Sequence, residues 1–131
     1  MRPSLLAGSA LLALSALGCA PSPLEVCQRM ADQLCERNFE CRTDKDTSSF
    51  QNTYGANVDE CKAKFYDANH CMERTKEEQN CVGPNTGKTT FHAGRFNECQ
   101  ETVAALSCQE YVNQSYFGTA QPPAICREIC D

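Results

Sequence analysis

Eleven cysteines in 131 residues are the side chains with the most chemistry to offer. A cysteine can carry a covalent modification, ligate a metal or pair as a disulfide, and spacing separates these uses. No Cys-x-x-Cys occurs anywhere, which removes the usual zinc-ribbon, thioredoxin and haem-attachment patterns. Cys19 stands apart from the rest, because it follows a 13-residue apolar run from Leu5 to Leu17 and the small Gly18. Setting it aside leaves Cys27, Cys35, Cys41, Cys61, Cys71, Cys81, Cys99, Cys108, Cys126 and Cys130, an even set that can pair completely. The chain therefore predicts ten structural disulfide cysteines and one thiol with a separate fate. It predicts no metal site and no cofactor.

Arg2 followed by the apolar run is a secretory-signal layout. Thirteen helical residues reach about 20 Å, short of the roughly 30 Å hydrocarbon core, so a permanent span is disfavoured. Residues 1–18 are read as the leader, 19–23 as a modified N-terminus and short tether, and 24–131 as the folded domain. Ala16-Leu17-Gly18-Cys19 resembles the bacterial lipobox, with Ala16 where the strict pattern has Leu. The resemblance implies a diacylglyceryl group on the Cys19 thiol, cleavage before it and acylation of the new amino terminus. Ala20 stands where an Asp would favour inner-membrane retention, which implies the outer membrane. Two or three acyl chains suffice for stable anchoring, so the membrane is a partner through Cys19 without any basic patch. The alternative is an ordinary signal peptide cut at Gly18-Cys19-Ala20, giving a secreted protein. Both readings take Cys19 out of disulfide pairing.

Cleavage would leave one domain's worth of chain, with eleven Lys and Arg against 17 Asp and Glu, a net of −6. Such a balance argues against nucleic acid as a partner. Only sixteen Leu, Ile, Val and Phe follow Cys19, about 14% of the mature chain and below the roughly 20% at which a core becomes hard to build. Five disulfides at about 2 to 4 kcal/mol each would supply what apolar burial lacks.

Helical signals position the cysteines. Ser22-Pro23-Leu24-Glu25 reads as an N-cap, a first-turn proline and a capping-box glutamate, opening a helix from Pro23 to about Asn38. Its apolar face would hold Val26, Cys27, Met30, Ala31, Leu34 and Cys35. Residues Arg42 to Ala56 are polar and read as a long loop. Asn57-Val58-Asp59-Glu60 caps a second helix to about Ala68, and Thr75-Lys76-Glu77-Glu78 a further turn before Cys81. Phe96, Cys99, Val103 and Leu106 mark a third helix from about Phe91 to Leu106. Ser107-Cys108-Gln109-Glu110 opens a short helix with Tyr111 and Val112. Gly118 to Pro122 reads as a loop, and Pro123 as the start of a last turn holding Cys126 and Cys130. The expected fold is all-α, a disulfide-stapled bundle of about three helices plus short helical turns.

Geometry limits the bridges. Cys27 and Cys35 on one helix lie about 12 Å apart, whereas a disulfide needs Cα atoms within about 6.8 Å. Cys126 and Cys130, four apart on one turn, point their side chains in nearly parallel directions, so each must reach another element. Ten cysteines still allow about 945 pairings. The expected set is Cys41 with Cys61, Cys71 with Cys81 and Cys35 with Cys99, leaving Cys27, Cys108, Cys126 and Cys130 to clamp the ends. A faint echo links Cys27 to Cys35 with Cys99 to Cys108, the spacings differing by one residue.

The lipobox cysteine, the early CQRMADQLCERNFEC and the late NECQETVAALSCQEY together resemble the small cysteine-rich lipoproteins numerous in myxobacteria. The resemblance covers nearly everything after Cys19. It implies an envelope location and a helical fold, and that family carries no assigned activity.

Other motifs are weaker. Gly83-Pro84-Asn85-Thr86-Gly87-Lys88-Thr89 has three residues between its glycines where a phosphate loop needs four, and reads as a turn. Asp44-Lys45-Asp46-Thr47-Ser48-Ser49 opens like a calcium loop but lacks its glycine and its closing glutamate. His70 and His92 have no free thiol to activate, and no esterase elbow or His-Glu-x-x-His is present. Asn113-Gln114-Ser115 is a glycosylation acceptor in form only. Phe50, Tyr54, Tyr116 and Phe117 lie off the predicted helix faces, as loop-borne binding anchors or as plugs over a thin core. The functional expectation is a non-catalytic, lipid-anchored envelope module for a protein or glycan partner. One rival is a secreted inhibitor or effector that presents Thr43 to Ala56 or Gly83 to Thr90. The other is an enzyme, if a pocket gathers His70 or His92 with Asp67, Glu73 or Glu98.

Overall fold

The computed structural model describes residues 19–114 and 122–131. The leader, Ser115, Tyr116, Phe117 and most of the expected Gly118 to Pro122 loop lie outside the described residues. The fold is all-α, with five α-helices among the described residues rather than about three, joined by short 3₁₀ turns.

Helix α1, Pro23–Cys41, begins where the sequence places it. Ser22 Oγ accepts from Glu25 N at 3.2 Å, and Glu25 Oε2 accepts from Ser22 N at 2.7 Å. The helix runs one turn past Asn38, the residue expected to end it. Asn38 is buried, and its amide nitrogen donates to Leu34 O and to the Tyr111 hydroxyl. The donor half of a residue that ordinarily breaks helices is thus satisfied inside one, while its Oδ1 has no hydrogen-bond partner among the described residues.

Helix α2, Ser48–Tyr54, occupies the segment expected to be loop. Thr47 caps it through Phe50 N, and Phe50 and Tyr54, four apart on one face, are buried. Two apolar side chains in seven are too few to show a period against five polar ones. Gly55, at φ 85, stops the helix, and a Cβ there would sit 2.8 Å from Glu60 Cβ. Helix α3, Val58–Ala68, follows its Asn57 cap.

The chain then crosses 3₁₀ turns at Cys71–Glu73, Glu77–Asn80 and Gly83–Asn85. Helix α4, Ala93–Ala105, is shorter at its start than expected, because Phe91 pairs in an isolated bridge with Cys130. Helix α5, Cys108–Gln114, follows Ser107, whose Oγ accepts from Glu110 N. The last turn, Ala124–Arg127, holds Cys126, whereas Cys130 lies beyond it.

All ten expected cysteines are paired, but none of the three expected bridges forms. The bonds are Cys27–Cys71, Cys35–Cys61, Cys41–Cys108, Cys81–Cys130 and Cys99–Cys126. Because α2 fills the first loop, α3 is delivered beside the middle of α1 and runs antiparallel to it. Cys61 therefore meets Cys35, and Cys71, ten residues on, meets Cys27. Cys41 lies beyond the reach of α3 and takes Cys108. Helix α4 does approach α1, but through Arg29–Asn97 and Gln33–Gln100 hydrogen bonds, leaving Cys99 for Cys126. The echo between residues 27–35 and 99–108 is not repeated in the bonding, since Cys108 belongs to α5.

Burial divides into two clusters on either side of α1. One comprises Cys35, Phe50, Tyr54 and Cys61, with Phe39, Val58 and Phe65 against them. The other comprises Val26, Cys81, Phe96, Cys99, Cys126, Ile129 and Cys130, with Met30, Phe91, Val103 and Ile125.

Candidate functional site

Cys19 is exposed and unpaired, and only Ala20, Pro21 and Ser22 separate it from α1. The three-residue spacer reaches no more than about 14 Å even when extended. Any group attached to this sulfur is therefore held close against the N-terminal end of the domain.

An apolar groove of about 470 Å³ lies between α1, α4 and the turns near Val82 and Cys126. Met30 and Leu34 from α1, Phe96 and Val103 from α4, and Val82 and Ile129 supply its apolar lining. Its size falls in the range of pockets that take small molecules or single side chains. Two of its polar residues are committed to each other, since Gln100 Nε2 donates to Gln33 Oε1 at 2.9 Å and Gln33 Nε2 donates to Gln100 O at 2.7 Å. Buried Asn80 Nδ2 and Gln114 Oε1, in contrast, have no hydrogen-bond partner among the described residues. Arg74 Nη1 holds Asn80 Oδ1 at 2.7 Å, and burial lowers the Arg74 pKa.

A second cluster joins α1 to α3. Lys62 Nζ lies 2.7 Å from Glu36 and 3.7 Å from Asp32, and the Tyr66 hydroxyl donates to Asp32. Burial, then the neighbouring Asp32 carboxylate, pushes the Tyr66 phenol up to about 12. It stays protonated and serves as a strut between helices.

The residues singled out by spacing are dispersed. His70 adopts φ 51 and lies 3.5 Å from Glu73, both largely exposed, while His92 Nε2 sits 2.9 Å from Asp131. Neither histidine lines the groove, and Asp67, Glu73 and Glu98 do not gather around either one there. In the calcium-like segment, Asp44 pairs with Arg42 and Thr47 caps α2. The phosphate-like segment is pinned from within: buried Asn85 donates to Cys126 O and accepts from Cys130 N, and Lys88 donates to Arg127 O. Phe50 and Tyr54 are core plugs, with the Arg42 guanidinium 5.1 and 5.6 Å from their ring centres. Both segments proposed for insertion into a target are thus tied down along much of their length.

Sequence reasoning missed the buried amides Asn38, Asn80 and Asn85 and the groove itself. A polar residue in a polar segment gives no local sign that it will be enclosed.

Among the described residues no group of three or more His, Cys, Asp or Glu is placed to hold a metal, and no helix is long and apolar enough to cross a membrane. Five disulfides in so small a helical protein fit an oxidising compartment outside the cytoplasm. No family model, curated protein or solved structure matches the chain.

Proposed function

We propose that this is a lipid-anchored envelope protein, held to the outer membrane through Cys19, that acts without catalysis by binding a protein partner in its apolar groove. The unpaired Cys19, three residues ahead of a capped helix and following the Ala16-Leu17-Gly18 motif, carries the anchoring reading. The groove carries the binding reading. Its predominantly apolar lining suits a hydrophobic side chain of a partner polypeptide, with the unpaired Asn80 Nδ2 and Gln114 Oε1 as the polar groups to orient it.

Mass spectrometry of the exported protein tests the anchor. The expected N-terminus is Cys19 bearing acyl chains, and Cys19→Ser is expected to leave the membrane fraction. An unmodified Cys19 or Ala20 terminus would overturn it and favour the secreted reading. A photo-cross-linking residue at Val82, on the groove rim, tests the partner against the same residue at exposed Ala63 on α3. A discrete protein adduct from position 82 alone is expected. Equal adducts from both positions, or none from 82, would reject the groove.

A further inference from the structure

The five bridges differ in how an external reagent can reach them. Nine of the ten bonded cysteines are buried, and Cys108 is the exception. Cys41–Cys108 also borders a shallow recess of about 400 Å³, whose other walls include Arg42, Asp44, Gln109 and Val112. Arg42 and Asp44 pair with each other, so the approach carries little net charge to attract or repel an anion. The bridge joins the last residue of α1 to the first of α5 and closes 67 residues, the longest separation of the five.

We propose that Cys41–Cys108 is an exchangeable disulfide, a site at which an external thiolate enters without unfolding the domain. Exchange requires a thiolate to reach one sulfur along the S–S direction, so access selects the bond and the sulfur attacked. The incoming thiolate bonds to Cys108 Sγ, the S–S bond breaks, and Cys41 leaves as a thiolate that takes a proton from water. With a dithiol donor, its second thiolate then attacks the mixed disulfide and releases Cys108. The donor ends as a disulfide, and two electrons and two protons have passed to the protein. With a monothiol, the mixed disulfide on Cys108 persists until a second thiol or Cys41 displaces it.

Opening this bond leaves α5 docked. Asn38 Nδ2 donates to the Tyr111 hydroxyl at 3.1 Å, Arg37 donates to Leu106 O just ahead of α5, and the Arg37 guanidinium stacks 5.0 Å from the Tyr111 ring centre. Cys27–Cys71, Cys35–Cys61 and Cys81–Cys130 are enclosed within the fold, and Cys99–Cys126, although in the wall of the apolar groove, has both cysteines buried, so none of the four offers an exposed half as Cys108 does.

The test is limited reduction of the native protein with dithiothreitol, quenched by alkylation and mapped by mass spectrometry. Cys41 and Cys108 are expected to label first, about ten-fold or more ahead of any other pair, with the helical circular dichroism unchanged. A parallel arm with glutathione is expected to place the mixed disulfide on Cys108, and the two arms separate dithiol from monothiol donors. Labelling led by another pair, simultaneous opening of all five, glutathione on Cys41 instead, or labelling only with loss of helicity would each overturn the assignment. The double variant Cys41→Ser with Cys108→Ser is expected to fold and to lack the fast-labelling pair. Its failure to fold, or persistence of a fast pair, would also count against the proposal.

Discussion

The two clusters flanking α1 are built on opposite plans. The aromatic one is assembled entirely from residues 35–65, with Phe39, Phe50, Tyr54 and Phe65 in an unbroken chain of ring contacts at 5.0, 4.7 and 5.9 Å between centres. Arg42 caps two of those rings and one disulfide backs them. The other cluster draws on residues from Val26 to Cys130 and holds two disulfides, with a C-terminal segment containing only one 3₁₀ turn. One core rests on rings with a single bridge of 26 residues; the other rests on two bridges, of 27 and 49 residues, and so depends more on sulfur. A chain poor in aliphatic residues can thus build two small cores by different means.

The sharpest break in the aromatic plan is Phe50→Ala, which should cost about 3–5 kcal/mol. Amide exchange should rise through residues 47–65 more than around Cys126. A uniform rise would show that the clusters unfold as one. Next come paired removals of comparable loops, Cys35→Ala with Cys61→Ala against Cys99→Ala with Cys126→Ala, at separations of 26 and 27. Chain entropy treats them alike, at about 2–4 kcal/mol each. The second is expected to lose more in urea unfolding, because fewer packed rings remain to hold the C-terminal turn, and equal losses would erase the contrast.

Asn85→Ala should cost about 1–3 kcal/mol by stranding Cys126 O and Cys130 N, and its effect should stay in the C-terminal cluster. Ser22→Ala removes the α1 cap for about 1 kcal/mol, and since both clusters rest on α1, thermal melts should show both weakened together. The smallest effect concerns Asp131, whose carboxyl is held below its ordinary 3.8 chiefly by His92. A lowered folded value means the contribution is present above the unfolded value and is lost as acid carries the pH down through the folded one. Amide exchange at Thr90 and Asp131 should therefore rise selectively below about pH 4. Insensitivity there would show that the backbone pairing of Thr89, Thr90 and Asp131 suffices without the side chains.

Local rules were readable in the chain and assembly was not. Ser22, Asn57 and Ser107 announced three helix starts because a cap involves only four consecutive residues. Thr47 used the same device, but its helix buries just Phe50 and Tyr54, so no period betrayed it. That omission propagated: without α2, the chain after Arg42 looked free to bring Cys61 to Cys41. The exclusion of Cys27 from Cys35, and of Cys126 from Cys130, needed only helix geometry. The actual partners required knowing that α3 lies antiparallel along α1. The groove draws on segments near residues 30, 82, 100 and 129, which no window of sequence displays together.

The bonding order has a consequence for biogenesis. Ordered along the chain, no cysteine is bonded to the next one, and every bridge spans at least 26 residues. An oxidase that joins thiols in the order they emerge from a translocation pore would link Cys27 to Cys35, Cys41 to Cys61 and onward, wrong at every step. Maturation then depends on reshuffling, and recombinant yield should follow the supply of isomerase more closely than the supply of oxidant.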